Sequence, residues 1–569
     1  MLRKALQLFF KDNTFLSIFL ILLGTVTWSI TMVKSGLVYS YGMGFWGPNG
    51  HDGVWHIALA ESLSRGSREM PVFSGETLKN YHVGFDLLLA FLHKLTTIPI
   101  STLYFQIIPP ILALLLGLLT YKFVTLWRKS KEEAFWATFF VYFGGSFGWL
   151  VTLIRGGGLG GESMFWSQQS VSTLINPPFA LSLVLLLTGL ILLLKKKNLL
   201  LSILCFGILI QIKAYAGALA LGGLFMAGIY NLWKGKDRRL LKVFLGSLIV
   251  SLLLFLPFNK NSGNLVVFKP FWFLETMMGL TDRLGWLRFH SAMTNYRLGN
   301  IWVKTTPTYL VAFAIFWVGN MGTRMVKEII IWKWIKNLKK VGWIEVFITA
   351  VITAGGAIPM FFLQAGTPWN TIQFFYYSLM FSGILAGIVV GEVLSKTPTL
   401  VRRTVLAASV ILLTIPTTIG TLNHYLPQRP PAKISNEELE ALSYLSKEPQ
   451  GTVLTFPFDR DKAKEAEANP PRPLYLYEST AYVSALAKKT VFLEDEVNLD
   501  ITGYPWGERK VKVGEFLKSP DAGEARAFLR ENDISYIYWI KGQRALLGEG
   551  QLGITKIFEN DEVDIFKVD

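Results

Sequence analysis

Apolar stretches long enough to cross a lipid bilayer recur along this chain of 569 residues. A membrane-spanning helix needs about 20 apolar residues. The runs Phe15 to Val33 and Leu103 to Phe123 are two clear examples. Only 17% of the residues are charged and the mean hydropathy is +0.39, whereas a soluble protein carries roughly 25% charged residues. The sequence therefore predicts a polytopic α-helical membrane protein and excludes an ordinary soluble enzyme.

The full set of apolar runs predicts about 11 transmembrane helices. The other nine crossings are expected near 134–154, 178–194, 199–233 (two short ones that turn at Gln211, Lys213 and Tyr215), 241–257, 307–320, 343–363, 371–393 and 404–422. Lysine and arginine concentrate on the cytoplasmic side of membrane proteins. Because Arg3, Lys4 and Lys11 precede the first run, we predict a cytoplasmic N-terminus. An odd number of crossings then predicts an extracytoplasmic C-terminus.

The charge of the chain is divided unevenly between its two parts. The net charge is +16, but residues 432–569 carry −7 and the remainder +23. The positive-inside rule accounts for the basic part, so no nucleic-acid partner is expected. After a Pro-rich linker, helix and strand patterns alternate, which predicts an extracytoplasmic α/β domain at 426–569 following a transmembrane module at 1–425. The single cysteine, Cys205, excludes an intramolecular disulfide, and we expect the cell membrane of a prokaryote.

The polar loop 34–100, which follows the first run, contains the most informative motif, GPNGHDGVWHIALAESL. A helix that begins near Asp52 places Asp52 and His56 one turn apart, with His51 beside them. A carboxylate and an imidazole held together can deprotonate a hydroxyl, share a proton or bind a divalent cation. The alternative is that Asp52 caps the helix and His56 is its helix partner. We predict Asp52, His56 and His51 as catalytic residues, and Asp52 with His56 as the ligands if a divalent cation is bound.

The predicted substrate contacts are polar and aromatic residues outside that triplet. A charge at membrane depth is costly and indicates function; Lys213, in the apolar stretch IQIKAYAG, suits a phosphate, the alternative being a lysine that reaches the interface. For Glu162, Trp369 and Asn370 the alternative is a helix cap or an interhelical hydrogen bond. The set is Lys213, His82, Tyr81, Trp55, Glu162, Tyr215, Trp369, Asn370, Arg283 and Arg297.

Two charged groups are interpreted more simply. Asp282 and Arg283 are expected to form a local pair at a turn. The acidic run Glu494, Asp495 and Glu496 does not have the spacing of a calcium loop, so a solvated acidic edge is expected there.

This layout resembles the GT-C glycosyltransferases, polytopic enzymes that use lipid-phosphate-linked sugars. The shared features are a cytoplasmic N-terminus, a long outer loop with an acidic residue after the first span, two amphipathic juxtamembrane helices (here near Asp52–Leu63 and Gly84–Leu95), many later spans and an outer C-terminal domain. The resemblance is distant and extends to the protein O-mannosyltransferase and aminoarabinose transferase group. Where O-mannosyltransferase relatives have a second carboxylate this chain has Gly53, which leaves metal dependence open.

The resemblance implies a hexosyl- or pentosyltransferase that is inverting and acts at the outer face of the membrane. Its donor is expected to be a polyprenyl-phosphate-linked sugar, and its acceptor a glycan, a lipid or a protein. Asp52 would position or deprotonate the acceptor, and Lys213 would contact the donor phosphate. The alternative is a transporter or lipid flippase with an extracytoplasmic receptor domain, which would place its polar residues at the bilayer midplane in pseudo-symmetric halves.

Overall fold

The computed structural model describes residues 13–259 and 266–569. By compactness the chain divides into two units. The first comprises Met1–Ile30, Pro109–Pro257 and Ser262–Tyr425, and the second comprises Thr31–Ile108, Phe258–Asn261 and Leu426–Asp569. Arg3, Lys4 and Lys11, on which the predicted cytoplasmic N-terminus depends, lie outside the described residues. The division into domains at residue 425 stays a prediction, and the loop after the first apolar run shares a compact unit with the C-terminal segment.

The first unit is helical. Its α-helices are Asn13–Ser29, Ile108–Arg128 (which begins at the end of the second unit), Lys131–Phe143, Gly148–Ile154, Pro177–Leu194, Leu199–Gly207, Leu209–Ile212, Ala214–Trp233, Arg239–Phe255, Trp272–Gly279, Leu287–Leu298, Trp302–Met321, Glu328–Lys336, Trp343–Phe361, Gln373–Lys396, Leu400–Thr414 and Pro416–Tyr425. Short 3₁₀ turns lie at Ser170–Ile175, Gly322–Lys327, Leu338–Lys340 and Pro368–Ile372, and the strands Val266–Phe268 and Phe362–Gln364 pair antiparallel.

Within the described residues, seven helices are long and apolar enough to cross a membrane, or eight if the bent pair Lys131–Phe143 and Gly148–Ile154 is one span. The seven are Ile100–Arg128, Pro177–Leu194, Ala214–Trp233, Trp302–Lys336, Trp343–Phe361, Pro368–Lys396 and Leu400–Tyr425. The chain is therefore an integral membrane protein. The count falls short of 11 because several predicted crossings are short helices: Asn13–Ser29 and Arg239–Phe255 have 17 residues each.

Local sequence explains where these helices begin and break. Pro177–Leu194 starts after Asn176, whose side chain accepts a hydrogen bond from the Phe179 N–H, and proline occupies the first helical turn, where its missing N–H costs nothing. The predicted turn at Lys213 is present: Leu209–Ile212 ends there, the Lys213 backbone is extended, and Ala214–Trp233 follows. Irregular backbone within a membrane-spanning region is tolerated where it lines a cavity or is buried in protein.

The second unit contains α-helices and two four-stranded sheets. From the loop come the strands Leu37–Tyr39 and Gly42–Phe45, the 3₁₀ turn Gly47–Gly50, the α-helices Asp52–Ser64, Gly84–Thr96 and Ile100–Thr102, and the π-helical turn Leu103–Ile107. The C-terminal segment adds the strands Ala432–Ile434, Thr452–Thr455, Arg472–Pro473, Ile534–Ile540, Ile554–Glu559 and Val563–Val568. Its α-helices are Asn436–Lys447, Arg460–Glu467, Tyr482–Ala487, Glu496–Thr502, Trp506–Lys518, Ala522–Glu531 and Glu549–Leu552, with a 3₁₀ turn at Leu474–Leu476.

One sheet joins the loop to the C-terminal segment. Its strand order is Leu37–Tyr39, Gly42–Phe45, Ala432–Ile434 and Arg472–Pro473. Met43 lies opposite Ile434 and Phe45 opposite Ala432 in an antiparallel ladder. The strand Ala432–Ile434 of the C-terminal segment thus holds, by hydrogen bonds, the hairpin that precedes Asp52.

The second sheet has the order Thr452–Thr455, Ile534–Ile540, Val563–Val568 and Ile554–Glu559. The predicted C-terminal hairpin and the Ile534–Ile540 strand are both present. The stretch TVFLED, which the pattern predicts as a strand, forms only an isolated bridge between Val491 and Val453, because the chain turns there into the segment that begins the Glu496–Thr502 helix.

Candidate functional site

The Asp52–Ser64 helix is a buried core helix and not the amphipathic surface helix that the sequence suggests. Eleven of its residues, from Gly53 to Ser64 with the exception of Leu63, are buried. The turn before it is held by Asn49, whose amide donates to the Thr31 carbonyl at 3.1 Å and to the Ser35 hydroxyl at 3.0 Å. The N-cap position is occupied by His51, with no side-chain capping bond, so the capping role considered for Asp52 is not the one it has.

His51 and Asp52 form a pair that solvent reaches. The two groups are 3.0 Å apart, from His51 Nδ1 to Asp52 Oδ1, with the side chains 33% and 43% exposed. Burial lowers the pKa of His51, but the charge of Asp52, its hydrogen bond and the charge of Asp495 raise the pKa above its ordinary value, against a lowering by Arg472. The pair therefore holds a proton more firmly than a lone imidazole, and the carboxylate keeps an accessible side.

His56 pairs with a different carboxylate, that of Asp86. His56 Nδ1 lies 2.7 Å from Asp86 Oδ1, and the two side chains are 5% and 0% exposed. Asp86 comes from the first turn of the Gly84–Thr96 helix, and the Tyr104 ring stacks on the imidazole at 5.7 Å. Asp52 and His56, which are predicted to act together, thus belong to two separate hydrogen-bonded pairs. The pair of Asp52 is accessible and the pair of His56 is buried.

The predicted aromatic contacts gather around this buried pair. Trp55 packs edge-on against Tyr81 at 5.5 Å, Tyr81 stacks with His82 at 4.6 Å, and Tyr81 lies 6.3 Å from His56. Four of the predicted substrate contacts or catalytic residues, Trp55, His56, Tyr81 and His82, are therefore neighbours. Sequence reasoning missed Asp86; the signal available was a lone carboxylate in the apolar helix GFDLLLAFL, directly after NYHV.

The C-terminal segment contributes buried carboxylates to the same unit. The expected solvated acidic edge is wrong: Glu494, Asp495 and Glu496 are 8%, 3% and 5% exposed. Asp495 caps the Glu496–Thr502 helix by accepting bonds from the Asn498 N–H at 3.1 Å and its amide at 2.8 Å. Burial raises the pKa of Asp495 to about 7, against the lowering effects of Asn498 and the His51 charge, and Asp52 raises it further.

Asp495 lies in the same compact unit as the His51–Asp52 pair, and its charge and theirs act on one another. The sequence could not indicate this, because the loop and the acidic run are brought together only by the folding of the second unit.

The remaining predicted contacts lie in the first unit. Lys213 is 4% exposed, and its ammonium lies 5.6 Å from the centre of the Tyr215 ring. The Tyr215 hydroxyl donates to Gln364 Oε1 at 3.2 Å. Trp369 is about half exposed, and the Asn370 carbonyl oxygen accepts a bond from the Gln373 amide at 3.2 Å.

Glu162 sits in a hydrogen-bonded network. Its carboxylate accepts bonds from the Gln169 N–H at 2.7 Å, the Ser172 hydroxyl at 2.7 Å and the Tyr425 hydroxyl at 3.4 Å. Burial raises the pKa of Glu162 to about 7, against the lowering effect of these bonds. These bonds tie Glu162 to the Ser170–Ile175 turn and to the end of the Pro416–Tyr425 helix, and its contact with a substrate stays a prediction.

The two predicted arginines are held by local partners. Arg283 lies 4.4 Å from the centre of the Trp166 ring and pairs with Asp282 at 3.7 Å, which matches the expected turn pair. Arg297 pairs with Glu275 at 3.3 Å.

A divalent cation would need a set of ligands in one place. In the stretches 13–259 and 266–569, no three His, Cys, Asp or Glu side chains are grouped so that they can hold a metal ion. The predicted ligands Asp52 and His56 are hydrogen-bonded to His51 and Asp86 respectively. The donor set that the described residues offer does not fit a metal centre.

Comparison with family models gives no match, and neither does comparison with curated protein sequences. Among solved structures the chain is similar to the oligosaccharyltransferase of Archaeoglobus fulgidus in its apo form, with a TM-score of 0.49 and 13% identity, over 94% of this chain and 70% of the other. It is also similar to the mycobacterial arabinofuranosyltransferase AftD, with a TM-score of 0.45 and 12% identity, over 94% of this chain and 40% of the other.

A third similar structure is ArnT of Cupriavidus metallidurans bound to undecaprenyl phosphate, with a TM-score of 0.38 and 13% identity, over 98% of both chains. Two of these three names are those of glycosyl-transferring enzymes. At this degree of similarity, any assignment of activity depends on the residues of the site.

Proposed function

We propose that this protein is a GT-C-like glycosyltransferase that moves a sugar from a polyprenyl-phosphate-linked donor to an acceptor hydroxyl, with inversion of the anomeric centre. The observation that carries the proposal is the His51–Asp52 pair, 3.0 Å apart and partly open to solvent, at the start of a helix that is otherwise buried. A rigid helix that presents one accessible carboxylate is a suitable support for a base that must be positioned accurately.

The proposed reaction is a single displacement. The acceptor oxygen forms a bond to the anomeric carbon while the bond from that carbon to the phosphate oxygen breaks, and the electron pair leaves with the polyprenyl phosphate. The hydroxyl proton passes to Asp52, which acts as general base. Because attack comes from the side opposite the leaving group, the configuration is inverted. His51 holds the carboxylate in place by the hydrogen bond to Oδ1.

The buried His56–Asp86 pair has a supporting role in this proposal. With both side chains almost inaccessible, it fixes the Asp52–Ser64 helix against the Gly84–Thr96 helix. We retain Lys213 as the proposed contact of a phosphate, because a buried ammonium at a helix break suits an anion. Trp55, Tyr81 and His82 are proposed to shape the neighbourhood of the sugar.

The proposed arrangement in the membrane is the one that the sequence predicts. About 11 crossings, with the short helices included, put the N-terminus in the cytoplasm and residues 426–569 outside as an α/β domain. Transfer would then occur at the outer face of the cell membrane of a prokaryote. Among the similar structures, the Archaeoglobus enzyme is recorded with a dolichol-phosphate and ArnT with undecaprenyl phosphate. A transporter or flippase is not favoured, since the proposed base and the polar and aromatic residues around it, from His51 to Asp86, come from one loop.

The test is transfer of a radiolabelled sugar from a synthetic polyprenyl-phosphate donor by the purified full chain. Asp52→Asn keeps the size of the side chain and removes its basicity, so we expect the rate to fall by about 10²- to 10⁴-fold. Asp500→Asn is the matched control, because Asp500 is an exposed carboxylate of the same unit. Equal rates for wild type and Asp52→Asn would show that the site is assigned wrongly.

The same assay addresses the metal. A chelator added to active protein should leave the rate unchanged if the reaction runs on the groups named here. Loss of transfer on chelation, restored by added Mn²⁺ or Mg²⁺, would show that the chain recruits a cation. Product stereochemistry, read by NMR of the isolated glycoside, tests the inversion.

A further inference from the structure

A short helix between two membrane spans of the first unit has no role in the proposed reaction. The apolar helical run from Trp302 to Lys336 is 35 residues long, whereas about 20 residues cross a bilayer. Its first helix, Trp302–Met321, already has 20 residues. The chain then breaks at Gly322, which has a φ of +54°. The helix Glu328–Lys336, which follows the break, is therefore additional to the crossing.

This helix packs on the rest of the first unit by one side. Lys327, directly before it, and Ile330 are buried, and the Trp334 ring lies 6.4 Å from the ring of Trp127. Residues 327, 330 and 334 follow one another at spacings of three and four, so they share one side of a helix. The remaining sides of the helix are open.

An apolar stripe lies on the open sides. Its members recur at every third residue and are each half or more exposed: Ile329, Trp332, Ile335 and Leu338. A contiguous group of exposed apolar side chains is unfavourable in water and marks a contact with a membrane or with another protein. The stripe therefore needs a partner that is at least partly apolar.

Lysines run beside the apolar stripe. In the part of the chain that the structure describes, Lys333 pairs with Glu392 at 3.0 Å, whereas the exposed Lys336, Lys339 and Lys340 have no carboxylate within salt-bridge distance. The Lys336 ammonium lies 4.9 Å from the centre of the Trp332 ring. Positive charge and apolar surface thus meet along one element.

The turn after the helix is held in place by a neighbouring span. Lys234, the residue that ends this span, donates from its ammonium to the carbonyls of Leu338, Lys339 and Val341 at 3.2, 2.8 and 2.9 Å. The Tyr230 hydroxyl donates to the Leu338 carbonyl at 2.9 Å. Because these bonds fix the backbone of the turn, its lysines are presented from a fixed position, and less ordering is needed when they bind an anion.

Several spans end at the face where this element lies. Lys234 follows the Ala214–Trp233 span, and Glu392, which holds Lys333, lies near the end of the Pro368–Lys396 span. The end of a span is the level of the lipid headgroups. A helix that combines exposed apolar side chains, tryptophan and lysines lies in the plane of that interface, with its apolar groups among the acyl chains and its lysines at the headgroups.

We propose that the helix Glu328–Lys336 and the turn Leu338–Lys340 form a binding site for an anionic phospholipid of the bilayer. The apolar stripe contacts the acyl chains, and Lys336, Lys339 and Lys340 bind the headgroup phosphate. A zwitterionic headgroup brings a cation of its own next to three lysines, so an anionic headgroup is favoured. The site does not depend on the proposed transfer reaction.

The test is a lipid titration of the purified full chain, read by native mass spectrometry, with phosphatidylglycerol and phosphatidylcholine of the same acyl chains. We expect phosphatidylglycerol to bind more tightly. One lysine near an anionic surface strengthens binding about 5-fold, so each of Lys336→Gln, Lys339→Gln and Lys340→Gln should weaken phosphatidylglycerol binding by about that factor. The triple variant should weaken it by about 10- to 100-fold and leave phosphatidylcholine binding unchanged.

The matched control replaces Lys195, Lys196 and Lys197 with glutamine. These lysines are also exposed, and they follow the Pro177–Leu194 span in a turn, where the positive-inside rule alone accounts for them. The control variant should bind phosphatidylglycerol as wild type does. An equal loss of affinity in the two triple variants would reveal only a general attraction of charge and would overturn the proposal, as would unchanged affinity in both.

A second readout locates the apolar stripe. The fluorescence of Trp332, taken as the difference between wild type and Trp332→Phe, should be quenched in nanodiscs of lipids brominated on their acyl chains and protected from aqueous iodide. Quenching by iodide and not by brominated lipid would place the stripe outside the acyl chains and contradict the proposal.

The same mass spectra decide between other occupants of this face. Excess inorganic phosphate should not displace the lipid, because phosphate does not fill the apolar stripe; displacement would indicate a site for free anions instead. A dimer that the triple variant dissociates, with phosphatidylglycerol binding unchanged, would show that a second copy of the chain covers the face. Either result overturns the proposal. The variants should unfold at the wild-type temperature in detergent, since the substituted lysines have no carboxylate partner to lose.

Discussion

The two histidine–aspartate pairs of the second unit should respond very differently to loss of their carboxylates. Asp86→Ala leaves the His56 imidazole buried without its partner, in a place where both side chains are at most 5% exposed. Removing one member of a buried pair costs about 3–5 kcal/mol. In Asp52→Ala the pair that is lost is 33% and 43% exposed, and such pairs contribute about 0–1 kcal/mol. An acidic residue in the first helical turn adds only a few tenths to about 1 kcal/mol.

The measurement is thermal unfolding of both variants in the same detergent, followed by tryptophan fluorescence. For a unit of this size each kcal/mol shifts the midpoint by about 2–4 °C, so Asp86→Ala should melt on the order of 10 °C below wild type and Asp52→Ala within a few degrees of it. The double variant His56→Phe/Asp86→Ala should recover part of the loss, because an apolar pair needs no partner.

Equal shifts for the two single variants would refute the distinction between a supporting pair and an accessible one. The distinction would also be refuted if the double variant were less stable than Asp86→Ala by the full effect of a second, independent substitution. Substitutions at two partners of one interaction are not expected to have additive effects on stability.

Three further outcomes are expected. Burial raises the pKa of Asp495 to about 7, above the roughly 3.9 of an unfolded aspartate. The folded state therefore binds the extra proton, and stability should fall as pH rises from about 4 to 7. Asp495→Asn should flatten the fall of the melting temperature over this range, and an unchanged slope would contradict the raised pKa of Asp495. Gly42 has a φ of +108°, and a β-carbon added there would lie 2.0 Å from the Ile434 carbonyl oxygen. Gly42→Ala should therefore lower the melting temperature and the transfer rate together, while Gly507→Ala, with open space around it, should change neither. The buried Tyr104 hydroxyl has no partner among the described residues, so Tyr104→Phe should melt no lower than wild type; a clear loss of stability would reveal a bond that the structure does not record.

Local pattern was enough to predict several elements of this protein. Apolar runs predicted the spans Pro177–Leu194 and Trp343–Phe361, the turn motif GPNG predicted a helix beginning at Asp52, and the polar break in an apolar run predicted the turn at Lys213. These features depend on residues within one or two helical turns, and such short-range preferences are written in composition and periodicity. The count of crossings was less accessible, because helices of 17 residues lie at the limit of what length and hydropathy can decide.

The partners of the site were decided by tertiary structure. His51 and His56 are close in sequence, yet one is hydrogen-bonded to Asp52 and the other to Asp86, thirty residues further along. The acidic run predicts that Asp495 is solvated, but Asp495 is buried. The strand Ala432–Ile434 pairs with the hairpin before Asp52 and brings the C-terminal segment to the loop. The sequence by itself determined a helical membrane protein with one chemically rich loop; which carboxylate is open to solvent and which are buried depends on long-range packing, which no local pattern contains.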